Sequence, residues 1–304
     1  MKYITVADGL RASAVSLGCM RMAGKTEYEV DAVLDAALSQ GVNFFDHADI
    51  YGGGESEALF GRYLARHPDA RAQMILQTKC GIRQGFFDFS KEHIIASVEG
   101  SLSRLGVDHL DVLLLHRPDA LVEPEEVAAA FEELFRAGKV LHFGVSNHNA
   151  MQIELLKTAV KRPLCFNQLQ FSVTEAGLVS AGLNVNMKNA ESVMHDGGLL
   201  EYSRIKGMTV QAWSPFQFGF FEGNFVDHEK YPLLNATLAK IAERYGISKT
   251  GVAAAWILRH PANMQLIAGT MNPLHLRDIC AAADITLSRE EWYEIYRAAG
   301  HTLP

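Results

Sequence analysis

Four side chains in the first half of the sequence are of types that can cooperate in proton transfer: Asp46, Tyr51, Lys79 and His116. A phenol has a pKa of about 10, so it is a weak acid near neutrality unless a nearby cation stabilises the phenolate. A buried lysine supplies that cation only when a carboxylate keeps it charged. Asp46, Tyr51 and Lys79 provide these three parts, and His116 can hydrogen-bond a substrate oxygen. The set suits protonation of a developing alkoxide, hence carbonyl reduction, which also needs a hydride source that no side chain provides.

These residues follow short apolar runs that the sequence predicts as buried strands. Several runs are β-branched or aromatic, and most are too short for helices, as expected of strands covered on both faces. Eight such runs occur, at residues 15–17, 42–45, 74–76, 112–115, 142–145, 164–166, 208–212 and 265–268. Further polar or aromatic groups follow the later runs: Ser146, Asn147, Asn167, Gln168 and Trp213.

Helical patterns separate the strands. Thr26-x-x-Glu29 is a capping box followed by apolar residues at helical spacing, and the pattern ends at Gly41. Similar patterns end at Gly106 and Gly138. Strands that alternate with helices imply parallel pairing, and eight units predict a (β/α)8 TIM barrel of the α/β class, with residues 1–304 as a single domain. An open doubly wound sheet is the alternative, but the chain has neither GxGxxG after its first strand nor GxxxxGK[ST].

Composition excludes several classes of protein. The 304 residues carry a formal charge of −7, which argues against a nucleic-acid partner. No apolar run approaches the roughly 20 residues of a membrane helix. The four cysteines form no CxxC pair, so a reduced cytoplasmic protein is predicted. The pair His47-x-Asp49 has the spacing of two metal ligands. The other predicted strand ends carry no set of carboxylates and histidines that would complete the ligands of a metal, so no metal is predicted.

The four proton-transfer residues resemble the catalytic tetrad of the aldo-keto reductases, NADP(H)-dependent barrel enzymes that use no metal. Asp46 and Tyr51 have the family spacing, while Lys79 and His116 end the third and fourth predicted strands. The string 46–53, DHADIYGG, is similar to one bacterial branch, and the likeness covers nearly the whole chain. The resemblance implies that Tyr51 donates the proton, Lys79 lowers its pKa, Asp46 supports Lys79 and His116 orients the substrate.

The resemblance also implies a cofactor site. Ser146, Asn147 and Gln168 are similar to the groups that bind the nicotinamide carboxamide, and Trp213 takes the place of the aromatic residue that stacks on the ring. A loop over the pyrophosphate is implied for Ser214, Pro215, Phe216, Gln217 and Gly219. The nicotinamide end is implied to contact Gly18, Cys19, Met20 and Asp46.

The segment after the last predicted strand departs from the family pattern. Met271 and His275 stand where family members frequently have a cation for the 2′-phosphate of NADP. Gly269, Thr270, Asn272 and the following helix N-terminus can still bind phosphate. Arg277 is either a phosphate ligand or a surface cation. NADPH or NADP+ is therefore expected, with NADH less favoured.

Two functions from different classes follow. The first is an NADP(H)-dependent oxidoreductase that reduces the carbonyl of a small aldehyde or ketone, with hydride from nicotinamide C4 and a proton from Tyr51. The alternative is a nucleotide-binding regulatory or redox-sensor barrel with little turnover. Residues 172–190 and 216–221 are expected to form pocket walls. The sequence identifies neither the physiological substrate nor the oligomeric state.

Overall fold

Eight parallel strands form a closed barrel in the part of the chain that the structure, a computed structural model, describes: residues 1–7 and 9–304. Each strand pairs with the next along the chain, and the barrel closes where Leu266 of the last strand pairs with Val15 of the first. The strands are β1 (Val15–Gly18), β2 (Phe44–Asp46), β3 (Ile75–Cys80), β4 (Leu110–Leu115), β5 (Val140–Ser146), β6 (Leu164–Gln170), β7 (Thr209–Trp213) and β8 (Met264–Ala268). The predicted (β/α)8 architecture is therefore confirmed.

Helices follow the strands and surround the barrel. They are α1 (Glu27–Ser39), α2 (Glu55–Arg66), α3 (Lys91–Leu105), α4 (Pro124–Arg136), α5 (Ala150–Ala159), α6 (Gly177–Leu183), α7 (Leu199–Lys206), α8 (Pro232–Tyr245), α9 (Lys249–Arg259), α10 (Pro273–Ala281) and α11 (Arg289–Ala298). The capping box predicted for α1 is present, because Thr26 Oγ1 accepts from Glu29 N and Glu29 Oε2 accepts from Thr26 N. Among residues 1–7 and 9–304, no helix is long and apolar enough to cross a membrane.

A hairpin of two short strands, Tyr3–Ala7 and Leu10–Ser13, closes the N-terminal end of the barrel. Its residues Val6 and Ala12 pack against an apolar layer that includes Phe44 and Ile75, the first residues of β2 and β3. Burial of this layer excludes water from that end. The C-terminal ends of the strands are therefore the end of the barrel at which a site can open to solvent.

Two further hairpins extend the loops at the C-terminal ends. Ile82–Arg83 pairs with Phe86–Phe87 after β3, and Gln217–Phe218 pairs with Gly223–Asn224 after β7. Between the sheet and the helices, the main apolar core contains large buried side chains such as Phe131. These well-packed layers hold the strand ends in fixed relative positions, as a preorganised site requires.

Candidate active site

A cavity of about 1390 Å³ opens at the C-terminal ends of the strands. Most residues predicted from the sequence to form the site line it: Gly18, Met20, Asp46, Tyr51, His116, Ser146, Asn147, Gln168, Trp213, Ser214, Pro215, Phe216, Gln217, Gly269, Thr270, Asn272 and His275. Strands on every side of the barrel contribute to the list, so the fold brings these distant sequence positions together.

Lys79 lies behind this lining, with its side chain fully buried at the end of β3. Its Nζ donates three hydrogen bonds, to Asp46 Oδ2 at 2.9 Å, to the His47 carbonyl oxygen at 2.8 Å and to Tyr51 Oη at 2.9 Å. An ammonium has three protons to donate, so all are used. Because Tyr51 Oη accepts from Lys79, its own proton is free to be donated into the cavity.

Burial changes the proton affinities of this group. Desolvation alone lowers the pKa of Lys79, but the charges of Asp46 and Tyr51 together raise it above its ordinary value, so Lys79 stays an ammonium. Burial raises the pKa of Tyr51, Lys79 lowers it and Asp46 raises it further, and the net result is above the ordinary value. Lys79 thus acts on the pKa of Tyr51 in the predicted direction, but burial outweighs the cation in this structure.

A tight turn after β2 places Tyr51. The segment stays attached to β3 beyond the end of β2, since His47 N donates to Gln77 O and Asp49 N donates to Lys79 O. The chain then turns through Gly52, which has φ +60 and would place a Cβ 2.2 Å from the Ala23 Cβ. Only glycine meets both conditions without strain. The glycine run after Tyr51 is therefore part of what positions the phenol.

His116 follows β4 and faces the same part of the cavity. Its ring lies edge-on to Tyr51, with the ring centroids 6.0 Å apart. Burial, with the charges of Lys79 and Arg117, holds the pKa of His116 well below its ordinary value, so the imidazole is neutral near pH 7. A neutral imidazole keeps one N–H donor, and its Nδ1 is buried without a hydrogen-bond partner in the described residues. His116 can therefore hydrogen-bond a substrate oxygen without bringing a second positive charge.

A network of buried glutamines supports Asp46 from inside the barrel. Asp46 Oδ1 accepts from Gln77 Nε2 at 2.6 Å and from Gln168 Nε2 at 3.1 Å. Both amides also donate to Gln211 Oε1, and Gln211 Nε2 donates onward to Gln265 Oε1. A carboxylate can only accept, so Gln168 must turn its NH2 group towards Asp46. This leaves Gln168 Oε1, which has no hydrogen-bond partner within residues 1–7 and 9–304, for a ligand.

The free energy of unfolding of a Gln77→Leu variant is expected to be about 1–3 kcal/mol lower than that of the wild type, because the change removes one of two amide donors from buried Asp46. Urea denaturation followed by circular dichroism measures this difference. Gln84→Leu is the matched control, since Gln84 is exposed, and it is expected to change stability by less than about 0.5 kcal/mol. Equal losses in the two variants would contradict a supporting role for the network.

Ser146, Asn147 and Trp213 form a second cluster at the ends of β5 and β7. Asn147 Nδ2 donates to Ser146 Oγ at 2.7 Å, and Trp213 Nε1 donates to Asn147 Oδ1 at 3.1 Å. Asn147 has φ +59 and the neighbouring Ser214 has φ +51, a region that non-glycine residues rarely occupy. Such strain persists where the surrounding structure enforces it, commonly at ligand sites. Asn147 retains one amide proton, so the cluster offers a donor near the free Gln168 acceptor.

The segment after β8 leads into the N-terminus of α10. Asn272 caps this helix, with its Oδ1 accepting from Leu274 N at 2.9 Å, and Asn272 N donates to Thr270 Oγ1. Met271 and His275 line the cavity beside them. The N-terminus of a helix attracts anions, so this end of the cavity suits a phosphate group.

Three predicted cofactor residues lie outside the lining. Cys19 is fully buried and its thiol donates to Leu17 O. Gly219 N already donates to Glu175 Oε1, so it is not a free donor. Arg277 is exposed on α10 and does not line the cavity, although His275 and Asp278 of the same helix do. The structure does not bring these three to the site.

Several lining residues were not found from the sequence. The cations Arg21, Lys25 and Arg117 line the cavity, as do the apolar Ile50 and Ile82. Ile50 and Arg117 are adjacent in sequence to Tyr51 and His116, but their side-chain types have no part in proton transfer. Arg21, Lys25 and Ile82 lie beyond the residues that directly end the predicted strands. Of the two expected pocket walls, Phe216, Gln217 and Phe221 contribute, whereas residues 172–190 do not line the cavity. In residues 1–7 and 9–304, no three His, Cys, Asp or Glu side chains are grouped as metal ligands would be.

Comparison with known proteins agrees with this arrangement. The chain is 34% identical to 6-dehydroglucose reductase of Agrobacterium fabrum (strain C58), over 98% of both chains. It is 35% identical to oxidoreductase YdhF of Escherichia coli (strain K12), over 100% of both chains. An aldo-keto reductase from Klebsiella pneumoniae, solved in complex with NADPH, has the same fold, with a TM-score of 0.80 at 24% identity over 100% of this chain and 96% of that chain.

A sequence profile of the Aldo/keto reductase family matches residues 14–299, from the start of the barrel into the last helix. The match therefore includes all eight strands and the loops that carry Asp46, Tyr51, Lys79 and His116. Since the profile spans almost the whole chain and both relatives align along nearly their full length, the chain belongs to the aldo/keto reductase family.

Proposed function

We propose that this protein is an NADP(H)-dependent reductase of aldehyde and ketone carbonyls. The observation that carries the proposal is the position of Lys79 Nζ, which donates both to Asp46 Oδ2 and to Tyr51 Oη, each at 2.9 Å. Tyr51 and His116 face one cavity, so a carbonyl oxygen can meet a proton donor and an orienting imidazole together. The names of the Agrobacterium and Escherichia relatives, a reductase and an oxidoreductase, support the same reaction class.

Proton transfer is the step that the side chains supply. His116 donates a hydrogen bond to the carbonyl oxygen and positions it near Tyr51. Tyr51 then gives its proton to that oxygen as negative charge develops there. Lys79 stabilises the phenolate that remains, and Asp46 keeps Lys79 charged in its buried position. The buried glutamines hold Asp46, so the group needs no rearrangement during the reaction.

The cavity fits a nicotinamide dinucleotide. A carboxamide has both donor and acceptor groups, and the lining offers the free Gln168 Oε1 and the remaining amide proton of Asn147. Trp213 presents an aromatic face nearby, and the capped N-terminus of α10 suits phosphate. When bound, this cofactor supplies the two-electron reductant that no side chain can provide. The NADPH bound to the Klebsiella protein supports the phosphorylated form for this chain.

The proposal is tested by following NADPH oxidation with a panel of aldehydes and ketones, together with a fluorescence titration of NADPH. Turnover that depends on both the carbonyl compound and NADPH supports the reductase. Tight NADPH binding with negligible turnover on every compound would overturn it and favour a nucleotide-binding regulatory barrel.

A Met271→Arg variant is expected to bind NADPH about 10-fold more tightly, because a charge-assisted hydrogen bond to the 2′-phosphate is stronger than any contact of a thioether. Affinity for NADH, which lacks this phosphate, is expected to change less than about 2-fold. Fluorescence titrations of both cofactors measure the effect. Met151→Arg is the control for added charge, since Met151 is 75% exposed on α5 and outside the cavity. An equal gain for NADH would contradict a phosphate site beside Met271.

A further inference from the structure

Arg117 is a cation of the catalytic cavity for which the proton-transfer steps have no use. It follows His116 directly and lines the same cavity. Its side chain makes no hydrogen bond and no ion pair with any residue of the described ranges, 1–7 and 9–304. Its guanidinium carbon lies 5.7 Å from the centroid of the Trp213 ring.

Each other half-buried arginine of the described residues has a hydrogen-bond partner, and three of the four bind a carboxylate. Arg259 donates instead to the Leu287 carbonyl oxygen. Arg71 binds Asp111 at 3.0 Å and Arg104 binds Glu57 at 2.7 Å. A partly buried cation loses hydration and normally regains that energy from a carboxylate. Arg117 has lost water, since burial lowers its pKa from the ordinary value, but the protein provides it with no carboxylate. A cavity cation in this state is suited to an anion that comes from outside.

None of the carboxylates among the described residues that line the cavity forms an ion pair with Arg117. Asp46 is bound to Lys79, Glu29 to Lys25 and Asp227 to Lys249. Asp278 is on α10 after β8, on the opposite side of the barrel from β4. The carboxylates that line the cavity are therefore either bound to lysines or on the far side of the barrel from the strand that precedes Arg117.

Apolar side chains line the same cavity as Arg117. Ile82 follows the neighbouring strand β3, Ile50 follows β2, and Met20 follows β1. Ile50 and Met20 are each 40% exposed in the open cavity, so they are available to contact the hydrocarbon part of a ligand. The lining thus combines a carbonyl position at Tyr51 and His116, apolar side chains, and the Arg117 guanidinium, which has neither a hydrogen-bond nor an ion-pair partner in the described residues. Arg21, the other arginine of the lining, donates to the Gly269 carbonyl oxygen.

We propose that the carbonyl substrate carries a carboxylate, which Arg117 binds while the carbonyl oxygen lies between Tyr51 and His116. The inference rests on the proposed reductase function and names its substrate class. A guanidinium offers two parallel N–H groups that match a carboxylate, and a partly dehydrated site strengthens the pair. Arg117 acts in this scheme on substrate affinity rather than on proton transfer.

The test compares two aldehydes of the same shape, 4-carboxybenzaldehyde and 4-formylbenzamide, in the full-length protein with NADPH. We expect kcat/KM to be at least about 10-fold higher for the carboxylate. Arg117→Gln is expected to lower kcat/KM for 4-carboxybenzaldehyde by about 10- to 100-fold, mainly by raising KM. The same variant is expected to change kcat/KM for 4-formylbenzamide by less than about 3-fold. Arg117→Lys, which keeps the charge without the planar fork, is expected to recover part of the loss.

Matched controls separate this role from others. Arg83→Gln removes a cation that is already paired with Asp88 on the neighbouring hairpin, so it is expected to leave the preference intact. NADPH affinity of Arg117→Gln is measured by fluorescence. The proposal would be overturned if Arg117→Gln weakened NADPH binding and lowered kcat/KM equally for both aldehydes. Arg117 would then act only by holding Trp213 in place. A higher kcat/KM for glyceraldehyde than for 4-carboxybenzaldehyde that disappears in Arg117→Gln would also overturn the proposal. Arg117 would then recognise hydroxyl groups.

A binding measurement keeps this inference separate from the proposed function. Calorimetry with the product-like 4-(hydroxymethyl)benzoate needs no turnover. If neither aldehyde is reduced, the reductase proposal fails, while Arg117-dependent binding of this carboxylate still supports the anion site. Equal reduction of both aldehydes by the wild type, with equal binding of 4-(hydroxymethyl)benzoate and its amide, overturns the anion site alone.

Discussion

A Tyr51→Phe variant is expected to reduce kcat/KM for aldehydes by roughly 10²- to 10⁴-fold, the usual contribution of a positioned acid. The change removes one oxygen, and with it the proton that the carbonyl oxygen needs. Lys79 loses one of its three acceptors but keeps Asp46 and the His47 carbonyl. The fold and the cofactor cavity should therefore survive, with unchanged NADPH affinity by fluorescence titration and a native circular dichroism spectrum.

Tyr63→Phe is the matched control for loss of a phenol oxygen. Tyr63 lies on α2, away from the cavity, and its Oη donates to Asp35 Oδ1 at 2.7 Å. Its variant is expected to lose some stability and to keep kcat/KM within about 2-fold. A folded Tyr51→Phe protein with wild-type turnover would show that another group donates the proton.

The order of strands and helices in this chain is predictable because each local pattern agrees with the fold. Short apolar runs can only be buried strands here, and the capping box at Thr26 and Glu29 marks the start of α1. In a barrel of this kind the ends of all strands meet at one face, so polar groups after apolar runs are expected to meet as well. This rule alone brings Asp46, Lys79 and Trp213 towards one site.

Properties that depend on packing were not predictable in the same way. The net pKa of Tyr51 results from burial working against Lys79, and no spacing in the sequence measures burial. The support of Asp46 by Gln77 depends on which strand residues point into the barrel and on the reach of their side chains. Arg117 directly follows His116 in the sequence, but proton transfer to a carbonyl oxygen gives an arginine at this position no role. Its lack of a carboxylate partner is visible only when all neighbours are placed.

The largest effect on stability is expected for Lys79→Met. This change removes the ammonium from Asp46 and leaves a carboxylate that is 4% exposed without a counter-charge. Breaking one side of a buried ion pair typically costs about 3–5 kcal/mol. Two amide donors remain on Asp46, so the protein should still fold at low temperature, but with no measurable carbonyl reduction.

Asp46→Asn combined with Lys79→Met removes both charges and leaves a neutral amide beside a hydrocarbon chain. Because the uncompensated charge is gone, the double variant should regain most of the stability lost in Lys79→Met, as measured by urea denaturation. It should remain inactive, since nothing then stabilises the phenolate of Tyr51. Recovery of turnover together with stability would mean that the ion pair only shapes the site, whereas stability without turnover separates the structural role of the pair from its role in proton transfer.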